Sequence, residues 1–320
     1  MPSFGDSFAF LFFATARKSQ FQDFTLCFTS MKQFESLEQV LSSHFGTSVQ
    51  ILRRVSLSGG SIHHAERLET SAGTFFVKHN HASHYENFLA EVDGLERLRQ
   101  TRTLRVPQTI LVTKESDTAY LVLEYLDAHP PAKNFWEHFG ESLAALHRHQ
   151  AEHFGYERDN FIGALVQRNT LHSSWSEFFI EERLSPMIAR ACRSGLLSAS
   201  EAKRLEQLFP KLEQFFPDEP PALLHGDLWS GNFLSGPQGL PVVFDPAVYF
   251  GHREAEIAFM HLFGGFHERL FQAYHATFPL APQWQARMDV YNLYPLLVHL
   301  NLFGRAYWSG IERTLRRFSL

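Results

Sequence analysis

His225-Gly226-Asp227-Leu228-Trp229-Ser230-Gly231-Asn232 is followed, thirteen positions after Asn232, by Asp245 at the end of the apolar run Pro241-Val242-Val243-Phe244. An Asp, an Asn five residues on and a second Asp after a short strand are the intervals at which phosphoryl-transfer sites carry their acid–base and metal-binding groups. The chemistry dictates the spacing. Asp227 must reach an attacking hydroxyl as proton acceptor, while Asn232 and Asp245 must converge as oxygen ligands on Mg²⁺. Alone, His-Gly-Asp is also the sequence of an ordinary turn, so the reading depends on what precedes it.

Upstream, residues 50–57, 65–70 and 74–79 are β-prone and are separated by the turn residues Ser58-Gly59-Gly60-Ser61 and Ser71-Ala72-Gly73, which predicts an antiparallel meander. A short amphipathic helix before it groups Phe34, Leu37, Val40 and Leu41, and a longer one over 85–99 groups Phe88, Val92, Leu95 and Leu98. Strands over 108–113 and 118–124 complete five. Gly59 and Gly60 would let backbone N–H groups approach phosphate oxygens without a Cβ in the way, although most Gly-Gly pairs between strands are simple hairpins. Lys78 closes the third strand, and Glu91 shares a broad helix face with Phe88 and Val92, from which it could pair with Lys78 over the phosphates of ATP. The backbone of Glu124, Tyr125 and Leu126, at the end of the fifth strand, could offer donors and acceptors to an adenine ring. After Asp127-Ala128-His129-Pro130-Pro131 the pattern changes to long helices, which marks a boundary. The expected organisation is therefore α+β: a protein-kinase-like two-lobe fold, with a five-stranded antiparallel ATP-binding lobe over 31–126 and a mostly helical catalytic and substrate lobe over 127–320.

The bulk properties fit a globular chain. With 320 residues, 44% hydrophobic and 20% charged, it is long enough for two lobes and too apolar for disorder. A net charge of -5 excludes a general attraction to nucleic acid or to an anionic membrane surface. Two cysteines, Cys27 and Cys192, make no disulfide framework and suit a reducing cytoplasm. Residues 1–30 differ from the rest: eight phenylalanines crowd there without periodicity, and the run from Phe8 to Ala16 is too short to span a bilayer. A translation start at Met31, with an extension of no structural role upstream, is the preferred explanation.

Other features invite less. The histidines number 18, but His149 and His153 at helical spacing lack the Glu of a His-Glu-x-x-His site, so hydrogen-bonded or solvated roles are expected. The aromatic-rich segment over 283–307, with Tyr291, Tyr294, Leu297, Leu300 and Phe303, reads as a buried helix in which Pro295 predicts a kink or break.

The strings His225 to Asn232 and Asp245-Pro-Ala-Val-Tyr-Phe-Gly-His-Arg-Glu-Ala-Glu256 resemble those of the fructosamine kinase (ketosamine-3-kinase) family, as do Leu262 to Phe266 and Tyr291 to Gly304. The wider superfamily includes aminoglycoside phosphotransferases and choline kinases, and shares only the His-Gly-Asp and the Asn. Trp229 and the longer string are more selective. The resemblance covers most of 31–307 and implies ATP-dependent, Mg²⁺-dependent phosphorylation of the 3-hydroxyl of a ketosamine, free or on a glycated protein, in deglycation repair. It implies Asp227 as proton acceptor, Asn232 and Asp245 as metal ligands, Lys78 with Glu91 as the phosphate-orienting pair, and Glu124 to Leu126 as the adenine contact. Trp229 is a candidate wall of the sugar pocket. Some relatives have a Cys where this chain has Ser61, so no thiol switch is expected in that loop.

Overall fold

The computed structural model describes residues 36–57 and 62–319. The expectations for residues 1–30, Phe34, Gly59 and Gly60 lie outside the described residues.

Helix α1 (Leu37–Phe45) starts at Ser36, whose hydroxyl accepts the N–H of Gln39, and ends at Gly46 in the left-handed region. Strands β1 (Ile51–Leu57), β2 (His64–Thr70), β3 (Gly73–His81), β4 (Thr109–Glu115) and β5 (Thr118–Glu124) form one antiparallel sheet in the order β1-β2-β3-β5-β4. Helix α2 (Tyr85–Thr101) connects β3 to β4. Period-two alternation divides the sheet between two cores. Phe75 and Val77 of β3 and Val122 of β5 pack with Leu37 and Leu41 of α1, whereas Leu121 and Leu123 join Phe88, Leu95 and Leu98 of α2. The same alternation turns Phe76 and Lys78 away from α1, toward the α2 side. The position of Lys78 is thus set by strand parity.

The remainder is mostly helical: α3 (Phe135–Leu146), α4 (Trp175–Phe178), α5 (Ser185–Arg193), α6 (Ala199–Glu206), α7 (Phe209–Leu212), α8 (Arg253–Phe263), α9 (Glu268–Thr277), α10 (Trp284–Tyr291), α11 (Leu293–Phe303) and α12 (Trp308–Arg317). Three small antiparallel pairs interrupt it: β6 (Asn160–Ile162) with β7 (Leu165–Gln167), β8 (Ala222–Leu224) with β11 (Tyr249–Gly251), and β9 (Phe233–Ser235) with β10 (Pro241–Val243). The expected long helix over 283–307 is broken at Asn292, between α10 and α11. Pro295 has no N–H to bond back to Tyr291, and its ring crowds that carbonyl, so the chain restarts and Pro295 falls in the first turn of α11. No described helix is long and apolar enough to cross a membrane.

Candidate active site

A cavity of about 740 Å³ opens between the sheet and the helical part, and Lys78, Glu91, Asp227, Asn232 and Asp245 all line it. Its depth comes from two segments held side by side. The turn after β8 carries Asp227, and the loop after β10 carries Asp245. The two are linked by Ala247 N–H to His225 O at 2.9 Å and by Phe244 N–H to Asn232 O at 3.0 Å. Gly226 makes this close approach possible: its φ is +83°, and a Cβ there would lie 2.0 Å from the carbonyl oxygen of Ala247. Asp245 itself has φ +60°, a left-handed conformation that Asp tolerates better than most residues.

His225 is fully buried and joins both segments. Its Nε2 donates to Phe244 O at 3.1 Å, which leaves Nδ1 to accept the Asp227 N–H at 3.3 Å. Burial holds the ring below its ordinary pKa, consistent with this neutral tautomer. Asn232 Nδ2 donates to Asp227 O at 2.8 Å, to Asp227 Oδ2 at 3.1 Å and to Asp245 O at 3.4 Å. Its amide nitrogen is thereby occupied, and Oδ1 is the atom left for a cation. Burial, and then the charge of Asp245, push the Asp227 carboxyl well above its ordinary range, with the Asn232 bond opposing.

On the other wall, Lys78 Nζ donates to Glu91 Oε1 and Oε2 at 2.8 and 2.9 Å, and lies 2.8 Å from Asp245 Oδ1. Lys78 and Glu91 are each 7% exposed, whereas the Asp245 side chain is 49% exposed and faces the cavity. Burial would lower the Lys78 pKa, but the two carboxylates raise it, so the ammonium stays charged. Burial pushes Glu91 up against the pull of Lys78. Burial also works against Asp245, yet the Lys78 charge and hydrogen bond hold its carboxyl below the usual value. The cluster therefore presents a fixed cation beside an accessible anion.

Two residues that sequence reasoning left without a role complete the site. Glu256, on α8, accepts the N–H of Gly226 at 2.7 Å and of His225 at 3.1 Å. His147 Nε2 lies 2.9 Å from the same carboxylate, and its Nδ1 is 2.8 Å from the Tyr274 hydroxyl. Burial alone would raise Glu256, but the bonds from His147 and from backbone N–H groups hold it below the usual range. This carboxylate anchors the turn that carries Asp227. Its partners lie about thirty residues upstream or more than a hundred away, beyond any local pattern.

Glu124, Tyr125 and Leu126 stand at the end of β5 and are not among the residues lining the cavity, whose wall beside the sheet is made by Leu57, Ala65 and Phe76. Glu124 is held by its neighbours. The Glu124 N–H donates to Gln108 O at 2.8 Å, and its carboxylate takes a two-pronged bond from Arg105 at 2.5 Å. Arg67 lies over the Tyr125 ring, 5.0 Å from its centroid. Trp229, 37% exposed, does line the cavity, as do the aromatic side chains Phe161, Tyr249, Tyr291, Tyr294 and Tyr307. Among the described residues, His172, Glu181 and Glu182 bring three potential metal-ligand atoms within 4.8 Å of one another, but Arg168 already neutralises Glu182 at 3.0 Å.

Comparison with known proteins gives the family. The family model for fructosamine kinase matches residues 33–319. A probable ketoamine kinase of Synechocystis is 38% identical over 287 residues, covering 89% of this chain and 96% of its own. The chloroplastic protein-ribulosamine 3-kinase of Arabidopsis thaliana is 37% identical over 271 residues, covering 83% of this chain and 82% of its own. A crystal structure from Haemophilus somnus, of a protein assigned as a fructosamine-3-kinase, superposes with a TM-score of 0.81 at 28% identity, covering 88% of this chain and 96% of the other. A family model that matches nearly the whole described chain, relatives 38% and 37% identical over most of its length and the same α+β architecture lead to one conclusion: this chain belongs to the fructosamine kinase family.

Proposed function

We propose that this protein is an ATP-dependent kinase that phosphorylates the 3-hydroxyl of a ketosamine and so takes part in deglycation. The reading is carried by the convergence of Lys78, Asp227, Asn232 and Asp245 on one cavity that is also lined by aromatic side chains. In it, residues 31–126 bind the nucleotide and residues 127–320 hold the acceptor and the acid–base chemistry.

Phosphoryl transfer asks a protein mainly for position and electrostatic stabilisation. Asp227, oriented by His225 and Asn232, aligns the sugar hydroxyl and accepts its proton as the new P–O bond forms and the bond from the γ-phosphorus to the β–γ bridging oxygen breaks, releasing ADP. Lys78, held by Glu91, orients the nucleotide phosphates. Asp245 and Asn232 Oδ1 are hard oxygen donors of the kind that suits Mg²⁺, and would hold it; the ion, when bound, neutralises phosphate charge. Trp229 and the neighbouring rings offer apolar faces to the carbon skeleton of the acceptor and exclude water from it. The names of the relatives, ketoamine kinase and protein-ribulosamine 3-kinase, support the acceptor class.

An ATP-consumption assay against fructosamine, ribulosamine and erythrulosamine adducts, free and on protein, tests the reading, with choline and an aminoglycoside as controls. Turnover on ketosamines is the expected result, and turnover on the controls alone would sink it. Asp245→Ala is expected to weaken MgATP binding, and a metal titration unchanged from wild type would remove Asp245 from the ligand set.

A further inference from the structure

Gly94 lies inside the 17-residue helix α2 and is buried. Glycine in a helix interior costs about 1 kcal/mol relative to alanine, so its presence calls for a close neighbour. That neighbour is Pro246, the residue directly after Asp245. A Cβ on Gly94 would meet Pro246 Cγ at 3.0 Å, with Pro246 Cβ and Val248 Cγ1 each at 3.6 Å. Gly94 is one turn beyond Glu91 and shares its face, so the side of α2 that carries Glu91 rests on the backbone that carries Asp245.

A second contact grips the helix beside this face. The Tyr156 hydroxyl donates to Asp93 Oδ2 at 2.9 Å and accepts from Arg97 Nε at 3.2 Å, and the Arg97 guanidinium lies 5.4 Å from the ring centroid. Arg158 reaches Asp93 at 3.2 Å, and Arg97 reaches Glu157 at 2.5 Å. Tyr156 is buried, and burial pushes its phenol up to about 12, so it remains a neutral donor at working pH. The segment bearing it is fixed to the strand after Asp245 by paired bonds between Gly155 and Phe250, at 2.9 and 2.8 Å. Both contacts therefore tie α2 to one backbone frame, the frame of Asp245.

We propose that Gly94 and Tyr156 are positioning residues that clamp α2 on the segment following Asp245 and thereby keep Glu91, Lys78 and Asp245 in register. The proposal rests on the nucleotide role read for that cluster. Its physical content is that three anchors come from three elements: Lys78 from β3, Glu91 from α2 and Asp245 from the loop after β10. A slide or roll of α2 by a fraction of a turn would carry Glu91 off Lys78 while leaving the sheet intact.

The test compares Gly94→Val, Gly94→Val with Pro246→Ala, and Tyr156→Phe against wild type. It reads kcat and the KM for MgATP with a ketosamine acceptor, and separately the rate of Lys78 acylation followed by mass spectrometry. Gly94→Val is expected to lower kcat/KM by about 10²-fold, the scale of a 1 Å misplacement, and to raise Lys78 labelling as its carboxylate partner withdraws. Pro246→Ala in that background removes the ring atom which the new side chain meets, and should restore about tenfold. Tyr156→Phe should raise the KM for MgATP by about three- to tenfold with little change in kcat, as expected for loss of the hydroxyl's bonds to Asp93 and Arg97 at a partly exposed helix face. Folding is checked by a cooperative melt; if Gly94→Val fails to fold, Gly94→Ala and Tyr156→Phe carry the measurement. Folded variants with wild-type Lys78 labelling and wild-type KM for MgATP would overturn the clamp and leave the nucleotide reading standing. A wild-type protein inactive on every ketosamine would overturn the reading instead, while Lys78 labelling still decides the clamp.

Discussion

Two buried glutamates line the cavity, and burial has opposite outcomes for them. Glu91 is served by a single cation, Lys78, which it shares with Asp245, and its carboxyl is pushed up. Glu256 receives two backbone N–H groups and an imidazole, and its carboxyl is held down. Number and kind of donors explain the difference, since fixed amide dipoles stabilise a carboxylate that burial alone would neutralise. The lesson concerns labour. Glu256 is built into the structure and fixes a turn, whereas Glu91 holds a cation, Lys78, that lines the cavity.

The contrast makes its strongest demand at Glu256. Glu256→Ala strands His147 and the N–H groups of His225 and Gly226, and is expected to cost about 3–5 kcal/mol, the range for breaking a buried charged network. Urea unfolding measures it, and a loss no greater than that of Glu91→Ala would erase the contrast. Next is the residue that Glu256 supports. Asp227→Asn should lower turnover by about 10²-fold or more with MgATP affinity nearly intact. In wild type, activity should fall as pH drops through the raised Asp227 pKa, because the protonated carboxyl accepts no proton.

Acid should also separate the two sides. His252, the residue before α8 and therefore at the base of the helix bearing Glu256, is buried, bonds Tyr291 OH at 3.0 Å, and has its pKa lowered to about 3. Below pH 6.5 the unfolded chain protonates this ring and the folded chain does not, so stability is lost as pH falls toward the folded value. The slope approaches about 1.4 kcal/mol per pH unit, or about 2 kcal/mol by pH 5. His252→Gln should flatten this part of the denaturation profile. Glu91→Gln is expected to raise the KM for MgATP by about tenfold with stability changed by about 1 kcal/mol, the reverse emphasis of Glu256. The smallest effect belongs to Glu124→Ala, which removes a half-exposed pair with Arg105: below about 1 kcal/mol in stability, and no change in KM for MgATP if Glu124 lies outside the nucleotide site.

The sheet was largely legible because its signals are local. Alternation along Phe75-Phe76-Val77-Lys78 gives the strand, and parity then assigns Lys78 to the α2 side. The convergence of Asp227, Asn232 and Asp245 was legible for a similar reason: Asp227 and Asn232 stand on one turn, and the fold needs only the β9–β10 hairpin to bring Asp245 back. Glu256 could be read as part of a motif, but not as an anchor, because its partners are backbone groups that composition cannot display. The bonds that hold Glu124 were not legible, because its partners Gln108 and Arg105 lie sixteen and nineteen positions away with no pattern to mark them. Pro295 announced a break, although the break falls at Asn292 because the steric conflict is with the preceding turn.

The left-handed backbone of Asp245 restricts inheritance as well as geometry. At φ +60° the backbone favours Gly, Asn and Asp, and a residue branched at Cβ would strain the loop by about 1–2 kcal/mol. Of those three, only Asp brings a negative charge to Lys78. The position is therefore filtered twice, by torsion and by charge, and the two filters intersect at a single amino acid. Replacement by Glu, the usual conservative exchange, fails the first filter while passing the second, and replacement by Asn does the reverse. In a library of all nineteen substitutions at this site, Gly and Asn should accordingly keep wild-type stability without the charge, and most others should lose about 1–2 kcal/mol as well.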